Sequence, residues 1–219
     1  MSKRNSLLVY LLGVLMTFKQ TPYIKVANVV PQDVCRFIND YLQLKKDTVK
    51  FMFDNHLINS SSKMMGEFKD TPQTSSKTYC CAVDLVTETL LKSLLFVVEK
   101  YSEMKLYPTY SYVRIYQKGD SLIKHKDRNS CQVSATLNIG GATWPIYAQL
   151  DSGSKQKIVL EAGDMMVYAG CDVTHWRTPL KEKECTQVFL HYNDQKGILE
   201  DHHKYDRRPR LGLPYTIDI

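Results

Sequence analysis

His125 and Asp127, in Leu122-Ile123-Lys124-His125-Lys126-Asp127-Arg128, put an imidazole and a carboxylate two residues apart. A second imidazole stands far along the chain, in Asp172-Val173-Thr174-His175-Trp176-Arg177. Two histidines and one carboxylate with open positions form the ligand set that holds non-haem Fe(II). In an extended strand alternate side chains share a face, so His125 and Asp127 are expected to project together. A His-x-Asp pair alone is common, and a histidine beside lysines is ordinarily solvated surface. The setting favours the metal. His125 follows the turn Gly119-Asp120 and a short strand-like run. His175 follows Gly163-Asp164, the β-rich run Met165-Met166-Val167-Tyr168 and a break at Gly170. Both histidines then stand at strand ends, where the mouth of a barrel sets its site.

The elements that would position these residues are legible in outline. An opening strand is expected over Pro22–Val30. Pro31-Gln32-Asp33 starts a helix running to about Leu44, with Val34, Phe37, Ile38, Tyr41 and Leu42 at helical spacing. Residues 45–78, around Ser60-Ser61-Ser62-Lys63, read as loop. A longer helix is expected over Val83–Glu103, with Val86, Leu90, Leu94, Val97 and Val98 on one stripe. From Ser111 onward short strands alternate with Gly, Asp and Ser turns, which predicts a jelly-roll barrel. The fold class is therefore α+β: a double-stranded β-helix core buttressed by N-terminal helices. Alternation gives Tyr110, Tyr112, Arg114 and Tyr116 one face, and Gln132, Ser134, Thr136 and Asn138 another. Polar faces on both sides of the ligand strand point to a shared polar cavity.

Several stretches together resemble the iron(II)- and 2-oxoglutarate-dependent dioxygenases, in particular their prolyl-4-hydroxylase-like branch and its small phage and bacterial members. They are Leu106–Tyr112, Arg114-Ile115-Tyr116, Gly119-Asp120, His125–Arg128, Tyr168–Cys171, His175-Trp176-Arg177 and Gln187–Tyr192. The likeness covers about residues 22–215 and leaves residues 1–20 outside. It implies Fe(II) held by His125, Asp127 and His175 as the catalytic and metal-binding triad. It implies 2-oxoglutarate and dioxygen as cosubstrates, ascorbate as a supporting reductant, and hydroxylation of a substrate carbon with release of succinate and carbon dioxide.

The distal carboxylate of 2-oxoglutarate needs a cation, best a bidentate arginine. In the family this cation lies nine to eleven residues past the second histidine, but those positions here are Glu184, Cys185 and Thr186. Lys183 falls one residue short. Arg177, two residues past His175, shares its face and is the preferred candidate, ahead of Lys183, Arg128 and Arg114. Tyr116 resembles the family's cosubstrate-binding tyrosine, with Thr136 or Asn138 assisting.

The favoured substrate is a protein or peptide side chain, most of all prolyl, with Tyr107, Tyr110, Tyr112 and Trp176 as candidate groove residues beside the bland reading of barrel packing. Nucleic-acid or small-molecule hydroxylation remains an alternative. So does a cupin-like metal enzyme without 2-oxoglutarate, and a non-catalytic jelly-roll module is the third class. Lysines and arginines are dispersed rather than laid along a track of stacking aromatics, so no stable nucleic-acid partner is expected.

Composition is that of an ordinary globular chain: 219 residues, 43% hydrophobic, 24% charged, net charge +6. The densest basic patch is His202–Arg210, read as solvated surface or a partner contact. Six cysteines lack metal-binding spacing and are read as reduced thiols. The apolar run Leu7–Met16 follows Lys3-Arg4, is too short to span a bilayer and lacks a cleavage site after it. A cytoplasmic enzyme is expected and a membrane partner is not, with this run leaving secretion or membrane association open. The expected organisation is an extension over 1–20 and one dioxygenase domain over 21–219. Within it lie helical support at 31–105, the jelly-roll core at 106–195 and a tail at 196–219.

Overall fold

Two antiparallel sheets pack face to face, and helices cover the larger one. The computed structural model describes residues 18, 21–59, 65–69, 78–149, 152–197 and 204–213. The larger sheet contains β1 (Tyr23–Val26), β2 (Glu67–Lys69), β3 (Thr78–Ala82), β4 (Leu106–Gln117), β6 (Val133–Gly141), β9 (Met165–Ala169) and β11 (Glu184–Asp194). Its strand order is β1-β9-β6-β11-β4-β3-β2. The smaller sheet contains β5 (Leu122–His125), β7 (Ile146–Gln149), β8 (Lys155–Ile158) and β10 (Thr174–Arg177), in the order β5-β10-β7-β8. From β4 onward the chain crosses back and forth between the sheets, with β7 and β8 as a hairpin in the smaller one, which is the double-stranded β-helix the turn pattern predicts.

Alternation along the strands divides the interior in two. Val133, Ala135, Leu137, Val188 and Leu190 join Ile38, Leu42, Leu91 and Val98 of the helices in one apolar core. The opposite faces of the same strands carry Ser134, Thr136, Asn138, Gln187 and His191 into the space between the sheets. There a smaller cluster of Ile146, Ala148, Ile158, Met166 and Tyr168 closes one end. A third, of Tyr116, Trp144, Leu180 and Cys185, closes another part. The polar inward faces are therefore lodged inside a barrel with an apolar floor.

The helical layer departs from the sequence expectation in its boundaries. The first helix, α1 (Gln32–Asp54), continues past Leu44 because Val49 keeps the buried stripe going. The long second helix is two: α2 (Leu85–Ser93) and α3 (Leu95–Ser102), with the chain bending at Leu94. Leu91 and Val98, on either side of the bend, are both fully buried. Asp84 caps α2, its carboxylate accepting from the N–H groups of Val86 and Thr87 at 2.9 and 3.2 Å. The segment expected as loop contains the end of α1, β2 and the start of β3. Ser60–Lys63, residues 1–17, and His202-His203 of the basic patch lie outside the described residues. The opening strand is shorter than expected and pairs with β9, Tyr23 opposite Tyr168. Among the described residues no helix is long and apolar enough to cross a membrane.

Candidate metal centre

β5 and β10 pair antiparallel with His125 directly opposite His175, which brings the two imidazoles to a centroid distance of 4.3 Å. The expectation that His125 and Asp127 share a strand needs correction, because β5 ends at His125. The Asp127 N–H donates instead to the Gly170 carbonyl at 2.9 Å, so the chain leaves β10 and turns towards the end of β9. Glycine is required at 170 by this approach. A Cβ there would stand 2.2 Å from the Cys131 carbonyl oxygen and 2.8 Å from Asp127 Oδ2. The turn still delivers the carboxylate between the histidines: Asp127 Oδ1 lies 3.5 Å from His125 Nε2 and 3.6 Å from His175 Nε2. One donor atom from each of the three residues falls within 4.8 Å of the others.

The remaining polar atoms of the triad are already committed. His125 Nδ1 faces the Ile123 carbonyl at 2.8 Å, and His175 Nδ1 faces the Val173 carbonyl at 3.0 Å. With the proton on Nδ1, each Nε2 presents a lone pair, the tautomer that a metal ligand needs. Asp127 Oδ2 accepts from the Ser134 hydroxyl at 2.7 Å, and Ser134 Oγ lies 2.9 Å from His191 Nδ1. The serine gives its one proton to the carboxylate, so His191 donates to the serine. Two nitrogens and Oδ1 are left converging, and this donor set fits a divalent transition metal. Burial would raise the Asp127 carboxyl, but the adjacent His125 imidazole, the neighbouring His175 and His191, and the Ser134 hydroxyl hold it well below the usual carboxylate range. Burial is also the main cause that lowers His175 and pushes His191 down to about 4. For His125 the adjacent Asp127 carboxylate and the Ile123 carbonyl outweigh burial and raise the imidazole.

The triad opens onto a cavity of about 370 Å³. Its walls include Tyr110, Tyr112, Arg114 and Tyr116 from β4, Phe189 and His191 from β11, and Tyr168 from β9. Lys126 and Arg128 form part of the rim. Of the aromatic groove candidates, Tyr110 and Tyr112 line the cavity. Tyr107 instead lies under the Lys204 ammonium, and Trp176 stacks on Tyr147 on the opposite side of β10 from His175.

The candidate cations separate by position. Arg177 is fully buried between the sheets, its NH1 donating to the Trp144 carbonyl and its NH2 to Gln187 Oε1 at 2.9 Å and Thr136 Oγ1 at 3.5 Å. Its Nε has no partner, and among the described residues no carboxylate pairs with it. Burial lowers its pKa accordingly. Arg177 stands behind the cavity wall, over Trp144, which packs edge-on against Tyr116. Arg114 is in the wall itself, donating to Thr78 Oγ1 at 2.8 Å and to the Tyr112 hydroxyl at 3.0 Å. Arg128 is held in a bidentate pair with Asp206 at 2.9 and 2.6 Å. Lys183 is exposed at the turn before β11. Thr136 lies beside Arg177, whereas the Asn138 side chain is spent on the Leu160 and Ala142 carbonyls and the Gly140 N–H.

Sequence reasoning put Ser134 on the polar cavity face without a partner and gave no role to His191, Tyr168 or Gln187. The period-2 pattern puts Ser134 and His191 on inward faces, which was the available signal. That they meet at Asp127 depends on β6 and β11 pairing with His191 opposite Ser134.

No protein-family model matches the chain and no curated protein matches it. Solved structures do. An oxidoreductase of the 2OG-Fe(II) oxygenase family from Burkholderia pseudomallei superposes with a TM-score of 0.61 at 14% identity, covering 87% of this chain and 91% of that one. The chain has the fold of the 2-oxoglutarate/Fe(II) oxygenases. A Pseudomonas putida prolyl-4-hydroxylase matches at a TM-score of 0.58 and 14% identity, covering 82% of this chain and 96% of its own. The non-heme alpha-ketoglutarate-dependent epimerase SnoN from nogalamycin biosynthesis matches at 0.60 and 12%, covering 92% and 93%. On the oxygenase fold the histidines and aspartate described above occupy one mouth of the barrel, beneath a cavity walled by β4, β9 and β11.

Proposed function

We propose that this chain is an Fe(II)- and 2-oxoglutarate-dependent oxygenase that hydroxylates a substrate carbon. The observation that carries this reading is the convergence of His125 Nε2, His175 Nε2 and Asp127 Oδ1 at the barrel mouth, with every other polar atom of the three side chains hydrogen-bonded elsewhere. When bound, Fe(II) and 2-oxoglutarate supply dioxygen activation, paid for by decarboxylation of the cosubstrate to succinate. The protein's part is to hold and to shield. His125, Asp127 and His175 would hold the metal and leave its remaining positions facing the cavity. Arg177 would meet the distal carboxylate once Tyr116 is displaced from the wall between them, because a buried guanidinium with an unpartnered Nε and no carboxylate beside it suits an anion that arrives with the cosubstrate. Thr136 and Gln187 orient that guanidinium, and Tyr116 stands on the wall between it and the cavity.

The proposed substrate is a peptide side chain, prolyl before others. Tyr110, Tyr112 and Phe189 give the outer cavity aromatic walls against which an apolar ring packs. The likeness to the P. putida prolyl-4-hydroxylase supports the same choice. A small anionic molecule is the second reading, favoured by Arg114 on the wall and Lys126 on the rim, where Asp127 is the sole carboxylate among the lining residues and Arg128 is paired with Asp206. The test is carbon dioxide release from labelled 2-oxoglutarate with Fe(II) and ascorbate, followed by mass spectrometry of a proline-containing peptide library. Gain of one oxygen on proline is the expected outcome. No 2-oxoglutarate turnover with any substrate class would refute the oxygenase reading, and turnover restricted to small acids would refute the peptide.

A further inference from the structure

The outer face of α1 carries an apolar row with no cover among the described residues. Phe37, Leu44 and Phe51 stand seven residues apart and are 70%, 69% and 61% exposed. Val34, also exposed, extends the row on one side. On its other side runs a row of exposed acids, Asp33, Asp40, Asp47 and Asp54, again seven residues apart, of which Asp54 pairs with Lys50 at 2.7 Å and Asp47 stands 4.0 Å from Lys46. The helix buries Cys35, Ile38, Leu42 and Val49 against the sheet, so the apolar and acidic rows are a second, outward face. A lone exposed phenylalanine is ordinary, but aligned large apolar groups along a helix crest mark a contact surface. At 1.5 Å per residue, Phe37 to Phe51 is about 21 Å of ridge.

The charge pattern selects the occupant. A second copy packed antiparallel on the same ridge would set one aspartate row beside the other, like charge against like. A basic apolar segment fits instead, and this chain contains one outside the described residues. Leu7–Met16 is apolar at every position except Gly13, is preceded by Lys3-Arg4 and followed by Lys19, and residues 1–20 contain no acid. Phe18 packs against the core between the larger sheet and its helices, so the segment joins the fold on the side where α1 lies. Even at about 1.5 Å per residue, residues 1–17 are enough chain to cover the ridge.

We propose that Leu7–Met16 docks on the Phe37–Leu44–Phe51 ridge of its own α1, with Lys3 and Arg4 beside the aspartate row. The apolar run is then an outer layer of the helical support.

The test uses the full chain with a photo-cross-linking phenylalanine analogue in place of Leu44. The expected product is a monomer whose cross-linked peptide maps within residues 5–18. In parallel, Phe37→Glu with Leu44→Glu should free the segment and speed tryptic cleavage after Lys19 by about tenfold, with far-UV circular dichroism unchanged because both positions are exposed. A cross-linked dimer would assign the ridge to self-association and overturn the proposal. So would a wild-type chain that sediments with phosphatidylglycerol vesicles and gives no internal cross-link. An equal cleavage rate in both proteins, with no N-terminal cross-link, would also overturn it.

Discussion

Replacing Ser134 with alanine isolates what the hydrogen bond behind the candidate metal ligand contributes. Ser134 Oγ donates to Asp127 Oδ2 at 2.7 Å and in turn accepts from His191 Nδ1 at 2.9 Å. The carboxylate it restrains is mostly buried, so water cannot readily take the hydroxyl's place. A hydrogen bond to a charged group is worth about 1.5–3 kcal/mol, and about 1.4 kcal/mol is a factor of ten, so metal affinity should fall by about 10- to 150-fold. Outer partners of metal ligands in general carry about 10–100-fold, which agrees. The same change strands the buried His191 N–H, at a further cost of about 1–3 kcal/mol in fold stability. A double variant separates the two effects. His191→Phe in the Ser134→Ala background removes the stranded donor, so it should recover stability in urea while leaving metal affinity low. The assays are Mn(II) or Co(II) titration by calorimetry and equilibrium urea unfolding. Metal affinity within twofold of wild type in Ser134→Ala would refute the claim that this hydroxyl holds Asp127. Failure of His191→Phe to restore stability would refute the proton direction assigned to the relay.

His125→Ala and Asp127→Ala should each abolish 2-oxoglutarate decarboxylation while the urea midpoint stays near wild type. Asp127→Glu should lose activity by about 10²-fold, since a displacement of ~1 Å is enough at a reacting centre. Arg177→Met should raise the 2-oxoglutarate KM by about tenfold or more with metal affinity unchanged, given ~1.5–3 kcal/mol for the lost charged pair; a large KM effect in Arg114→Met or Lys183→Ala and none in Arg177→Met would move the cosubstrate cation to that residue. His191 has its folded pKa depressed to about 4 from an ordinary 6.5, so its contribution to stability is present above about 6.5 and is lost as pH falls towards 4. Urea unfolding between these pH values should show that loss, and His191→Phe should flatten it.

The period-2 alternation of β4, and of β6 from Ser134 on, determined from sequence alone which residues face the barrel interior; Gln132, grouped with them by alternation, precedes β6 in helical conformation and accepts from the Asp194 N–H instead. A pleated strand leaves no other choice, and Tyr110, Tyr112, Arg114 and Tyr116 share the cavity face as alternation requires. The residue types His, Asp and His likewise limited the chemistry before any fold was known. Tertiary structure decided the rest, because it depends on which strands meet. Asp127 reaches the histidines through a turn closed on Gly170, not through the strand alternation first expected. Ser134 and His191 are fifty-seven residues apart and become a relay only because β6 and β11 pair in one register. Arg177 and Trp176 are neighbours in sequence, yet one is sealed between the sheets and the other stacks on Tyr147 outside them. Local sequence sets the direction in which a side chain leaves its strand. What it finds there is set by long-range pairing, and so the ion pairs, relays and orphaned donors that tune the site could not be read from the sequence.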